Sequence, residues 1–168
     1  MSTWTARMIP RLVSNLAAIK MHPVADHYVQ TSGQAARKGD HPGHPDPAHR
    51  DNERGRRACT GHCVSYAATI AVAQLATNAA AGVRTHPIAW ALGHALGGGL
   101  HYVMDRSRDT GRLIDLFDRF VFHPLGHPGN RGYWDHGGQP ALDQAWHKTC
   151  LVTWAVGDAA YGAWKDTR

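Results

Sequence analysis

Apolar positions recur at helical spacing along most of the chain and never alternate over a useful length. In residues 3–20, Met8, Ile9, Leu12, Val13, Leu16 and Ile19 fall near a 3.6-residue period, which gathers them on one face of a helix. Pro10 is tolerated only near a first turn, so the pattern predicts a helix over about 10–21. Pro23 then starts or kinks a second piece that runs to about Arg37. Residues 57–81 predict a long helix stopped at Gly82, and 86–107 another, in spite of Gly97, Gly98 and Gly99. Each glycine costs about 1 kcal/mol against alanine in a helix, so the close approach of a neighbouring helix is expected to compensate. Arg112–Phe122 predicts a short amphipathic helix, with Leu113, Leu116, Phe117 and Phe120 on one side. Residues 139–164, with Pro140 in the first turn, predict the last helix.

Two stretches break the pattern. Residues 39–56 mix prolines, histidines and alternating charges, and predict an exposed loop. Residues 123–138 predict a second long loop. No repeat of fixed period is present. The expected fold is a single all-α domain over 1–168, a helical bundle of about five to six helices with a metal site in its core.

The candidate chemistry lies inside the apolar helices. His22 and Asp26 are four residues apart, as are His101 and Asp105, and Asp143 and His147 in reverse order. Positions i and i+4 share a helix face. His62 stands in another uncharged stretch. A buried aspartate must be paired or ligated, because an unpartnered charge in the interior is costly. Seven residues from separate segments therefore become the candidate metal ligands: His22, Asp26, His62, His101, Asp105, Asp143 and His147. Imidazole with carboxylate suits Zn, Mn or Fe, with Mg possible at an oxygen-rich position. Seven groups exceed one tetrahedral ion, so two divalent metal ions about 3.5–4 Å apart are expected. The competing reading makes each His–Asp pair a hydrogen-bonded structural pair in its own helix.

Around these ligands, Asp105, Asp26 and His27 are the candidate catalytic groups. Gln30, Gln144 and Tyr66 are placed to orient the ligands from behind. Lys38, Arg106 and Arg112 are the candidates for holding an anionic substrate. His94 reads as a satisfied core histidine, and Cys59 and Cys63 as small buried hydrophobes. His41, His44 and His49 read as solvated loop residues.

Composition narrows the partners. The chain carries 13 histidines against 18% charged residues, and its net charge is +5. A sequence pI near 9.4 favours an anionic small molecule or nucleic acid. Three cysteines, two of them four apart, do not make a disulfide framework, so a reducing cytoplasm is the expected setting. The N-terminal stretch lacks the apolar core and cleavage site of a signal peptide. Thr60–Val83 and Pro87–Met104 hold no formally charged residue, which length alone would let span a bilayer. Their His, Gln, Asn and Gly content, with a mean hydropathy of −0.40, makes membrane association the weaker expectation. No phosphate-cradling glycine loop, nucleophile elbow or zinc ribbon is present in the sequence.

The order His22-x-x-x-Asp26-x-x-x-Gln30, then His62, then His101-x-x-x-Asp105-Arg106, then Asp143-Gln144-x-x-His147 resembles the bacterial and phage family called domain of unknown function 3307. The likeness covers about residues 20–150 through short motifs. It implies an all-helical fold and a metal-dependent hydrolase. That family is usually membrane-embedded, whereas this chain has helices poorer in Leu and Ile and the polar stretch at 39–56, which points to a soluble relative. The expected function is hydrolysis of a phosphate ester, on a nucleotide or a nucleic acid, by metal-bound hydroxide. The alternative is a non-catalytic, metal-stabilised binding protein that meets nucleic acid or a protein partner.

Overall fold

A computed structural model describes residues 2–107 and 111–168. Ser2 starts the first helix: its Oγ accepts the Thr5 N–H and satisfies one of the free donors of the first turn. Helix α1 then runs Thr3–Ile19, straight through Pro10. It begins about two turns earlier than the pattern predicts, because the Ser2 cap offsets one missing backbone bond at the proline. The piece expected from Pro23 to Arg37 is two elements. Val24–Tyr28 winds as a π-turn, closed by the Val29 N–H on the Val24 carbonyl. Thr31 and Gln34 then form a capping box, which stops the turn and starts α2, Ser32–Arg37.

Asp51 caps α3, Asn52–Ala80, by accepting the Arg54 N–H at 3.0 Å. Helix α4 is Pro87–Ser107, α5 is Arg112–Phe117, α6 is the single turn Arg131–Tyr133, and α7 is Gln139–Lys165. No strand occurs among the described residues, and the fold is an all-α helical bundle. Helix α1 packs on α3 and α7, α4 packs on the same two, and α2 covers α3.

The first predicted loop holds as irregular, mostly exposed chain over 39–51, with one 3-10 turn at Pro47–His49, while 52–56 already belong to α3; both predicted loops are nevertheless pinned by buried carboxylates. In 39–56, Asp40 is completely buried; its carboxylate accepts Arg54 Nε at 2.8 Å and pairs with His49 Nδ1 at 2.6 Å. Burial opposes the charge on Asp40, but the bonds to His49 and Arg54 outweigh it and hold the carboxyl below its ordinary range. Arg106 of α4 ties the segment down, donating to the carbonyls of Lys38 and Asp40 and to Asn52 Oδ1. Gly55 admits this contact, since a Cβ there would stand 2.2 Å from the Asp40 carbonyl oxygen. Residues 123–138 are wound into short helical turns, because buried Asp118 accepts the N–H groups of Asn130 and Arg131 at 2.8 and 2.9 Å.

The interior is small and polar. Ala18, Ala155, Ala159 and Ala163 are fully buried, beside Arg11, Asn15, Gln74 and Asn78. Asn15 donates to the Ala155 carbonyl and Asp158, Gln74 donates to Asn15, and Ser14 donates to Asn78. These bonds join helices where apolar contact is thin. Large apolar side chains point outward on every long helix: Ile9 and Val13 on α1, Val72 on α3, Ile88 and Leu92 on α4, Val152 on α7. No described helix is long and apolar enough to cross a membrane. Of the three glycines expected to admit a neighbour, only Gly98 meets one, with Ala67 3.5 Å from its would-be Cβ; Gly97 and Gly99 face open space.

Candidate metal centre

Four elements deliver the donors. The π-turn presents Asp26, with His22 two residues before that turn, α3 presents His62, α4 presents His101 and Asp105 one turn apart, and α7 presents Asp143 and His147. All seven are buried. The His62 and His101 Nε2 atoms are 2.9 Å apart. Asp26 Oδ1 lies 3.2 Å from His62 Nε2 and 3.5 Å from His101 Nε2, and Asp105 Oδ2 lies 3.5 Å from each. A tetrahedral ion with bonds of about 2.0–2.1 Å sets its ligand atoms roughly 3.3 Å apart. Asp26, His62 and His101 bring three donor atoms to the spacing of such a ligand set, and Asp105 Oδ2 stands equally near both imidazoles.

His147 extends the group. Its ring stacks on His101 with centroids 4.1 Å apart, and its donor atoms lie within 4.8 Å of those of His22 and Asp26, and of His101 and Asp105. Neither nitrogen of buried His147 has a hydrogen-bond partner, a costly state that a cation would relieve. Asp143 joins none of these groups. Its Oδ2 lies 3.9 Å from His147 Nδ1, beside a ligand rather than among the converging donors. His22 is held in reserve: Nε2 donates to Gln144 Oε1 at 3.1 Å, which leaves Nδ1 to accept the Tyr66 hydroxyl at 3.0 Å. It must release one partner to ligate. Gln144 also donates to Asp26 Oδ2 at 2.9 Å, and the Tyr66 ring stacks on His101. Gln30 is half-buried, and its amide nitrogen has no partner.

Protonation suits a cation. Burial opposes the charge on Asp26, yet bonds from His101, His62 and Gln144 prevail and keep its carboxyl far below the ordinary range. Burial pushes His22 down, and pushes His147, beside His101, down to about 3. Neutral imidazole and ionised carboxylate are the forms that bind metal. Burial, with Asp26 nearby, raises the Tyr66 hydroxyl, which stays protonated.

The expected substrate groups are placed differently. Lys38 does not reach outward: its side chain is 13% exposed and its ammonium lies 3.1 Å from Asp105 Oδ1, a counter-charge inside the site. Arg106 is committed to the backbone contacts described above, so it is no anion clamp. The Arg112 side chain lies outside the described residues. His27, 60% exposed with Nε2 3.8 Å from Asp26 Oδ2, sits at the rim. Cys59 and Cys63 are buried with their sulfurs 3.9 Å apart, near Asp105. The bond to Cys59 and burial push the Cys63 thiol up, so it remains an uncharged hydrophobe. His94 donates to Gln74 Oε1 at 2.8 Å as a satisfied core histidine, lowered by burial.

A pH prediction follows from His147 and His22. Their folded pKa values lie below the unfolded value near 6.5, so the unfolded chain binds more protons below that point. Stability of the metal-stripped protein is therefore expected to fall as pH drops from about 6.5 toward 3, and His147→Gln should flatten the fall. Thermal melts at pH 7, 6 and 5 check this; a melting temperature unchanged over that range contradicts it.

No protein-family model matches the chain, and no curated protein or solved structure matches it.

Proposed function

We propose that this chain is a metal-dependent hydrolase of phosphate esters. The observation that carries the reading is the buried cluster in which Asp26 and Asp105 each place a carboxylate oxygen 3.2–3.5 Å from the His62 and His101 Nε2 atoms, themselves 2.9 Å apart, delivered by three elements. A divalent ion held there supplies a Lewis acid that lowers the pKa of water and polarises a phosphoryl oxygen. The protein's own part is to hold the donors ready. Gln144 fixes Asp26, Tyr66 supports His22 and His101, and Lys38 offsets the charge of Asp105. His147 and His22 offer donors for a second ion within 4.8 Å of Asp26. His27 at the rim is the residue able to pass a proton between the site and solvent.

Purified protein is expected to retain at least one equivalent of Zn, Mn or Fe by elemental analysis. With Mn or Zn added, it should turn over members of a panel of phosphomonoesters, phosphodiesters and nucleotides. Tightly bound metal with no turnover of any panel member would favour the non-catalytic, metal-stabilised binding protein. No bound metal at all would remove both readings.

A further inference from the structure

Beside the metal centre, α4, α5, α7 and the turns after α5 wall an apolar trough. One part, of about 310 Å³, is walled by Met104, Ile114, Phe117, Phe122, Trp134 and Trp146. A second, of about 610 Å³, shares Phe117 and Trp146 and continues between Leu96 and Leu100 of α4 and Trp154 of α7. Small residues make the trough. Gly97 faces open space, and Gly93 is needed because a Cβ there would lie 2.3 Å from Trp154 Nε1, on the wall. From Ala89 to Met104 the α4 wall is roughly 22 Å long at 1.5 Å per residue.

The trough leads to the ligands. Met104 immediately precedes Asp105, and Trp146 immediately precedes His147. Between them lies a cavity of about 30 Å³, with Gly97, Leu100 and Trp154 on its trough side and His101 and His147 on the other. The lining chemistry selects among occupants. It offers few groups to read the edge of a base: the Thr149, Thr153 and Asn130 side chains, the unpartnered indole N–H groups of Trp146 and Trp154, and Asp158, whose Oδ2 is already taken by Asn15 and Gln74, scattered among apolar walls. A hydrocarbon chain needs only apolar walls and length, and an acyl chain crosses half of a bilayer core, roughly 15 Å.

We propose that this trough holds the hydrocarbon chain of an amphiphilic phosphomonoester, whose phosphate reaches the metal centre. The headgroup end rests on the hydrolase reading above; the trough does not. The substrate class is then a long-chain alkyl or isoprenoid phosphate, not a nucleotide.

The test uses ethyl, hexyl and dodecyl phosphate as monomers, with binding read from tryptophan fluorescence of the full chain, both zinc-loaded and metal-stripped. Affinity is expected to rise about threefold to fourfold per methylene in both forms. Gly97→Leu, which places a side chain in the trough, should flatten that slope, as should Thr153→Trp if the first variant folds poorly. Ala91→Leu, on the exposed face of α4 outside the trough, should keep it. Affinity independent of chain length in the parent overturns the proposal, as does a slope that both filled variants retain. Sedimentation showing a parent dimer that Gly97→Leu splits would assign the trough to a second copy and also overturn it. A steep slope without hydrolysis of any alkyl phosphate keeps the trough and removes the hydrolase; hydrolysis of ethyl phosphate without a slope does the reverse.

Discussion

His62→Ala is expected to lower metal affinity by at least roughly 10²-fold and to abolish measurable turnover, while the chain still folds. His62 Nε2 is the atom the other donors surround, at 2.9 Å from His101, 3.2 Å from Asp26 and 3.5 Å from Asp105. A binding energy of about 10–16 kcal/mol shared by four ligands is about 3 kcal/mol for each, or roughly 10²-fold in affinity. Chelator competition measures it directly. The rival view, in which each His–Asp pair is only a structural bond, predicts a loss of melting temperature equal with and without metal. Parent and variant binding zinc equally well would sink the metal centre. Lys38 makes the choice of residue matter: Asp105→Ala would strand a nearly buried ammonium and confuse loss of metal with loss of fold.

Arg106→Lys is expected to lower the melting temperature by about 6–12 °C. The guanidinium makes three bonds, at 3.0 Å to the Lys38 carbonyl, 2.6 Å to the Asp40 carbonyl and 2.6 Å to Asn52 Oδ1. Bonds to a charged group contribute about 1.5–3 kcal/mol each, and a lysine cannot span the fork, so a net loss of about 3 kcal/mol follows. At about 2–4 °C per kcal/mol for a domain of this size, that gives the stated range. Had Arg106 held substrate, the same change would raise KM and leave the melting temperature alone. Calorimetry beside kinetics separates the two, and an unshifted melt refutes the structural role. Some loss of metal affinity should accompany the melt, since the same contacts seat Lys38 against Asp105.

Much of the candidate site could be read along the chain because its units are local. His101 with Asp105, and Asp143 with His147, need only one helical turn to share a face. Gln144 was visible for the same reason, next to Asp143 and three residues before His147. His22 and Asp26 were recognised by spacing, although a π-turn rather than an α-helix carries Asp26. The errors were long-range. Lys38 looked like a surface cation because nothing nearby in sequence shows that 38–56 folds back under Arg106. Asp40 looked like an exposed loop residue, yet it is buried, with partners 9 and 14 positions away. For Asp143, only the placement of α7 sets its distance from the other donors, with Oδ2 3.9 Å from His147 Nδ1.

The apolar stripe of α1 carries the same lesson. Periodicity marks a stripe but does not say whether it faces a neighbour or the outside. Here Ile9 and Val13 face out, while Arg11, Ser14 and Asn15 on the opposite side meet α3 and α7.

By itself the sequence determined that the chain is helical and that imidazoles and carboxylates recur at one-turn spacing, because hydrogen bonds and side-chain directions within a helix depend only on nearby residues. The tertiary structure alone decided which of those groups converge, which cation stands among them, and which faces are left bare. Those outcomes depend on contacts between segments tens of residues apart, and no local pattern encodes the angle at which two helices meet.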